Sequence, residues 1–250
     1  MSKIKRVRAF AGPNGSGKTT LFEEIKKQYP TGNYINADWI EKELTTVGYL
    51  DLSQFDITAT QSDWGYFTKT EHAKSLIAKS QSVNHNVELV IRENVIVDQA
   101  TDMHSYEAAL IASFIRFCLM AADHSYSFET VMSHKSKIDE LASAQIAGYK
   151  TYLYFICLDD PMLNMSRVSN RVSKGGHNVD TEKIQSRYHN TLCNLLPAMK
   201  IVDRSFLFDN SDTEMRLIAE SDQQVVTLHC DGDQLPNWFI NYVADLLNKN

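Results

Sequence analysis

Long hydrophobic runs are missing from this 250-residue chain. The longest, ALIASFIRFCLMAA from Ala109, amounts to one buried helix. It contains Arg116 and is too short to cross a bilayer. An excess of basic charge is missing too. Lys and Arg number 25 against 31 Asp and Glu, a net charge of −6. That balance does not point to nucleic acid as the main partner, although it leaves a local basic groove open. Cysteine is sparse and scattered: Cys118, Cys157, Cys193 and Cys230 form no CxxC pair and no zinc-type spacing with histidine. Reduced, mostly buried thiols are expected. The opening MSKIKRVRAF is basic, but its apolar stretch is broken by Gly12 and Pro13. It does not read as a secretory signal, and a reducing cytoplasm is the expected location. Repeats, low-complexity tracts and linkers are absent as well. One domain over 1–250 is expected, with insertions.

What is present alternates between strand and helix. RVRAF reads as a strand entering a glycine-rich turn, and residues 18–29 have helical spacing closed by Pro30 and Gly32. NYINAD reads as a second strand, followed by the helix WIEKELTTV. Residues 49–65 read as irregular, 66–82 as helix and VELVIREN as a strand or buried segment. Residues 104–122 read as a strongly apolar helix and SYSFET as a strand. The helix ending in AGY is closed by Gly148. TYLYFICL is apolar almost throughout, as in a strand buried on both faces of a parallel sheet. Asp160 and Pro161 are placed as cap and first residue of the next helix. SFLFDNS and QVVTLHC read as further strands, and LPNWFINYVADLL as a closing amphipathic helix. The alternation predicts an α/β fold with right-handed crossovers.

The most specific feature is Gly12, Pro13, Asn14, Gly15, Ser16, Gly17, Lys18 and Thr19, followed by Thr20. It satisfies the G-x-x-x-x-G-K-[ST] pattern between a strand and a helix, the Walker A phosphate loop. Glycines let consecutive backbone N–H groups turn around a phosphate. The helix that starts near Lys18 directs its positive end at the same anion. Lys18 brings a full charge to the β- and γ-phosphates, and the Thr19 hydroxyl is a hard ligand for Mg²⁺. The motif predicts ATP and Mg²⁺ as cofactors but not what is done with them.

Three classes share such a loop. An ABC- or SMC-type ATPase also needs an LSGGQ-like signature and a strand ending in Asp-Glu; neither is found. A GTPase switch needs NKxD and DxxG elements, which are also missing. A small-molecule kinase needs an acceptor-side base and cationic groups for the transferred phosphoryl. Asp38, at the end of NYINAD, suits the base, although it equally suits the cap of a helix starting at Trp39. Glu129 and Thr130 end SYSFET, where Glu129 can hold Mg²⁺ through water or bind a sugar hydroxyl, or simply lie at a strand end. RVSNRVSKGGHNVDTEKIQSRY carries Arg167, Arg171, Lys174, His177 and Arg187. Arginines there can stabilise charge on the transferred group, or serve as a solvated basic helix end.

AGPNGSGKTT, NAD, FETVMS, AGYKTYLYFICLDDP, RVSNRVSKGGHNVDTEKIQSRY and FLFDNS run in order across residues 9–211. In this set the chain resembles the zeta-toxin-like P-loop kinases, in the broad branch described as predicted ABC-type ATPases. The resemblance implies a three-layer P-loop sandwich with a mainly parallel sheet and an arginine-rich lid at 167–190; residues 49–122, longer than a minimal kinase of this kind needs, are expected to form a helical acceptor-side insertion. It implies phosphorylation of a hydroxyl on UDP-N-acetylglucosamine or a related nucleotide-like metabolite, and an antitoxin partner. Lys18 and Thr19 then belong to the phosphate loop and Asp38 is the base. Glu129 and Thr130 are substrate or metal contacts, and Arg171 and Arg187 are lid arginines beside Arg167. The segment WIEKELTTVGYLD departs from the family's short Arg/His-Pro segment after the base. Arg116 is a candidate acceptor contact or a structural cation. A nucleic-acid-end kinase and a non-kinase ATPase module are the alternative expectations.

Overall fold

The computed structural model describes residues 4–100, 105–173 and 181–244. In chain order its strands are β1 (Arg6–Ala11), β2 (Asn33–Ile35), β3 (Tyr49–Asp51), β4 (Leu89–Arg92), β5 (Val95–Asp98), β6 (Tyr126–Thr130), β7 (Lys150–Cys157), β8 (Arg204–Asp209), β9 (Arg216–Asp222) and β10 (Val225–Leu228). The principal helices are α1 (Lys18–Gln28), α2 (Ala37–Val47), α3 (Gln61–Phe67), α4 (Glu71–Gln81), α5 (Ser105–Ala121), α6 (Ser136–Ile146), α7 (Pro161–Val172) and α8 (Thr181–Ile201). A mostly parallel seven-stranded sheet has the order β10-β9-β8-β7-β1-β6-β2, and a smaller one the order β3-β5-β4. This is an α/β fold with a mainly parallel central sheet. Among the described residues no helix is long and apolar enough to cross a membrane.

The chain divides into two compact units, residues 1–31 with 127–250, and residues 32–126. In the first, β7 lies between β1 and β8 and runs parallel to both. Its apolar sequence follows from that position, because both faces of the strand are covered. The register sets Phe10 beside Tyr154 and Tyr154 beside Phe206. Their rings stack at 4.8 and 5.0 Å. Asp160 accepts a hydrogen bond from Met162 N (2.8 Å), with Pro161 as the first residue of α7, as expected. Helix α6 ends as expected too. Gly148 has φ +80°, and Tyr149 N and Gly148 N donate to the carbonyls of Ala144 and Gln145, a Schellman closure. Strand β9 was not expected. It runs antiparallel to both β8 and β10. Of the expected closing helix, a helical turn at Asn237–Phe239 passes into a π-helical turn at Ile240–Ala244, and the rest of the segment lies outside the described residues.

The second unit corrects several readings. Residues 49–65, expected to be irregular, include β3 and the first turn of α3. The single helix expected over 66–82 is two helices. Thr60 and Thr70 cap α3 and α4, Thr60 in a reciprocal capping box with Asp63. VELVIREN is only the first half of a hairpin. Strand β4 turns through Glu93 and Asn94 into β5, which pairs on its other side with β3. The insertion read as helical thus also holds a small antiparallel sheet. Helix α5 matches the expected apolar helix and supplies much of this unit's core.

Candidate nucleotide-binding site

Strand β1 delivers the phosphate loop. Gly12 N donates to Thr130 O (3.3 Å), tying the loop's first residue to the end of β6. Gly12 has φ +147°, and a Cβ there would lie 2.0 Å from Ile156 O, so no other residue fits. The loop tightens through Ser16 N, which donates to Pro13 O (3.2 Å). Gly17 then caps α1 in the left-handed conformation, and no side chain caps the helix. The first turn of α1 contains no acidic residue. The N–H groups at this end are therefore left for an anion, with the helix dipole behind them. Lys18 Nζ donates to Gly12 O and Pro13 O, both at 2.9 Å, which holds the ammonium over the loop. Thr19 and Thr20 are exposed on the first turn.

Two asparagines that the sequence reading missed hold this loop from outside. On α7, Asn164 Nδ2 donates to Asn14 O (2.7 Å). After β8, Asn210 Nδ2 donates to Ser16 O (2.8 Å), while Asn210 N donates to Cys157 O (2.9 Å) at the end of β7. The signal for Asn164 was available: it lies four residues before Val168, so a polar side chain occupies a buried stripe of the helix. Around the adjoining loop, Tyr188 OH donates to Leu158 O (2.6 Å). Asp159 accepts from Trp238 N (2.9 Å) and Asn237 Nδ2 (2.6 Å). Asp209 is 2% exposed and accepts from Trp238 Nε1 (3.0 Å) and Ser211 Oγ (2.8 Å). Burial pushes the Cys157 thiol far up, which suits it to packing and not to nucleophilic chemistry.

The other candidate residues fall in different settings. Glu129 is half-buried at the end of β6, and Thr130 Oγ1 accepts from Met132 N (2.9 Å). Arg167 is half-buried and Nη2 donates to Asn210 O (2.9 Å), which places it in the phosphate-loop surroundings. Arg187 is exposed on α8. The side chain of Arg171, and Lys174, Gly175, Gly176 and His177, lie outside the described residues. Asp38 and Arg116 belong to the second unit. Asp38 is exposed in the first turn of α2, and it is not the cap. That role is taken by Asn36, whose Oδ1 accepts from Trp39 N (3.2 Å), because the helix begins one residue before Asp38. Arg116 is 4% exposed inside that unit, with Nη2 donating to Ser113 Oγ (2.9 Å), which in turn meets His72 Nε2 (2.9 Å).

The loop fits a nucleoside triphosphate. Its glycines stand where a Cβ would collide with Ile156, Asn164 or Asn210, and its helix end is uncapped and free of acids. Among the described residues no three His, Cys, Asp or Glu side chains gather as a metal cage. The exposed Thr19 hydroxyl is a hard oxygen donor of the kind that Mg²⁺ accepts.

No family model matches the chain, and no curated protein matches it. Solved structures do. The AvrRxo1-ORF1:AvrRxo1-ORF2 complex with sulphate ions superposes with a TM-score of 0.57 at 14% identity, covering 91% of this chain and 62% of that one. The AvrRxo1-ORF1:-ORF2 complex with ATP gives 0.55 at 13% identity, covering 99% and 64%. The chain therefore spans less than two thirds of those neighbours. The PezAT chromosomal toxin-antitoxin system of Streptococcus pneumoniae gives 0.48 at 14%, covering 100% and 78%. At these identities the likeness is one of fold.

Proposed function

We propose that this chain is an ATP- and Mg²⁺-dependent phosphotransferase of zeta-toxin type. Its acceptor is a hydroxyl of a nucleotide sugar such as UDP-N-acetylglucosamine, or of a related metabolite. The observation that carries this reading is the phosphate loop itself: glycines at positions no side chain can occupy, Lys18 held above them and an uncapped helix end behind. That an AvrRxo1 neighbour was solved with ATP supports the choice of nucleotide.

In this reading the amides of the loop and of the α1 terminus bind the β- and γ-phosphates, and Lys18 neutralises their charge. The Thr19 hydroxyl would hold Mg²⁺ with help from Glu129, and the ion would supply further charge neutralisation. Asp38 accepts the proton of the acceptor hydroxyl. It lies exposed in the first turn of α2. Arg171 and Arg187 stabilise charge on the transferred group. Residues 49–122 form the acceptor side and 167–190 the lid, within one cytoplasmic kinase domain. A protein partner blocks the site; the AvrRxo1 neighbours are themselves ORF1:ORF2 complexes.

The test is transfer of label from γ-labelled ATP into a metabolite extract, beside an Asp38→Ala variant. Label in a small molecule that the variant fails to produce supports the proposal. Label in RNA or DNA makes the protein a nucleic-acid kinase instead. Release of free phosphate alone, at the same rate in both proteins, removes the kinase reading.

A further inference from the structure

Five residues close a hydrogen-bonded ring around the phosphate loop. Asn164 Nδ2 donates to Asn14 O (2.7 Å). Three residues on, on the same face of α7, Arg167 Nη2 donates to Asn210 O (2.9 Å). Asn210 Nδ2 donates to Ser16 O (2.8 Å). The chain from Asn14 to Ser16 completes the circuit. Helix α7 is also packed hard against the loop: a Cβ on Gly15 would lie 2.8 Å from Asn164 O, 3.3 Å from Val168 Cγ2 and 3.4 Å from Arg167 Cβ.

Peptide planarity gives the ring its consequence. In a trans peptide the carbonyl of one residue and the N–H of the next point in opposite directions. Fixing Asn14 O toward α7 therefore turns Gly15 N–H away from it. Fixing Ser16 O toward Asn210 does the same for Gly17 N–H. These are two of the amides that the loop offers to an anion. Stability alone does not account for Asn164. It is 0% exposed, and its Oδ1 is buried without a partner. An apolar residue would carry no such orphan oxygen, but it would leave Asn14 O without its donor. The position holds an amide because the loop carbonyl needs a donor.

We infer that Asn164 and Asn210 are positioning residues that aim the Gly15 and Gly17 amides at the bound phosphates. Arg167 holds Asn210 in place and acts through it, not on the transferred phosphoryl group. The inference rests on the nucleotide reading of the loop. It departs from the expected lid role of Arg167, because Nη2 of its guanidinium is bonded to a backbone carbonyl of the loop's support.

The test compares Asn164→Ala, Arg167→Met and Arg167→Lys in the full chain. Binding of a non-hydrolysable ATP analogue is measured by calorimetry and amide exchange of residues 14–17 in nucleotide-free protein. Thermal melts confirm folding, and half-exposed Arg167 supplies a variant that does not open the core. Asn164→Ala and Arg167→Met should each weaken binding by roughly tenfold, the scale of one lost hydrogen bond. Gly15 and Gly17 amides should exchange faster in both. Arg167→Lys, which keeps one donor, should stay within about threefold of the parent. Because both residues serve one ring, the double variant should be little worse than the weaker single. In transfer assays, KM for ATP should rise more than kcat falls. The inference is overturned if Arg167→Met binds nucleotide normally while kcat drops about a hundredfold, the mark of a transition-state contact. Unchanged exchange at Gly15 and Gly17 also overturns it. If the parent protein binds no ATP, the kinase reading falls, and amide exchange still decides whether the ring shapes the loop.

Discussion

Asn36 and Asp38 divide two tasks that a sequence reading can assign to one residue. Either side chain can accept a hydrogen bond from an N–H of the first turn, and only the helix start decides between them. Because α2 begins at Ala37, Asn36 is the cap and Asp38 is left exposed near the positive helix end. Two substitutions separate the tasks. Asn36→Ala should cost about 1 kcal/mol of stability, the usual value of a cap, read as a lower midpoint in urea. Asp38→Ala should cost less than that in the same titration. It should reduce phosphoryl transfer by about a hundredfold or more if Asp38 is the general base. A variant pair with the opposite pattern would return the capping role to Asp38. The same distinction applies in the loop. Gly12 and Lys18 were legible because their residue types fit the chemistry of a phosphate site. Asn164 and Asn210 were not, because their contribution is to two backbone carbonyls brought close only by folding.

Two of the strands missed in the sequence, β5 and β9, share a physical cause. Strand β5 follows a two-residue turn, Glu93 and Asn94, and β10 follows β9 through Gln223 and Gln224. All four residues have positive φ, from 46° to 71°. Such turns are normally announced by Asn-Gly or Asp-Gly. Neither contains glycine, so the usual signal of a hairpin is silent, and β9 in particular was passed over. The parallel core was legible for the opposite reason, since a strand covered on both faces must be apolar along its length. At the first turn, Asn94 compensates for its strain. Oδ1 accepts from Ala59 N (2.8 Å), Nδ2 donates to Ile57 O (3.1 Å), and its carbonyl accepts from Leu52 N (3.0 Å). Glu93 does not show comparable bonds, so Glu93→Gly should stabilise the protein by about 1 kcal/mol through relief of left-handed strain. Asn94→Ala should destabilise it by about 2 kcal/mol, since two buried backbone groups lose their partner. Chemical denaturation of the two variants measures both signs; a destabilising Glu93→Gly would show that the turn does not carry this strain.

Across the whole molecule two thiols and one tyrosine set an alkaline limit. Burial pushes the Cys118 thiol from its ordinary 9.0 up to about 12. It also raises Cys157 and the Tyr188 phenol well above their usual ranges. In the unfolded chain these groups ionise near their ordinary values, so the neutral forms favour folding. With folded values raised, that contribution is complete below about pH 8.5 and is lost as the pH rises beyond it. Melting temperatures measured from pH 7 to 11 should fall progressively above about pH 9. The same burial grades thiol reactivity, because the thiolate is the reacting species. All four cysteines are free, and Cys193 alone is exposed; Cys118 and Cys230 are intermediate and Cys157 is buried. A thiol reagent at pH 8 should therefore modify one group rapidly in the native protein, Cys193, and reach all four only in denaturant. Peptide mapping identifies the fast site. A second thiol reacting at the same rate, Cys157 above all, would mean that the β7 end and the loop bound to it through Asn210 open readily in the native state.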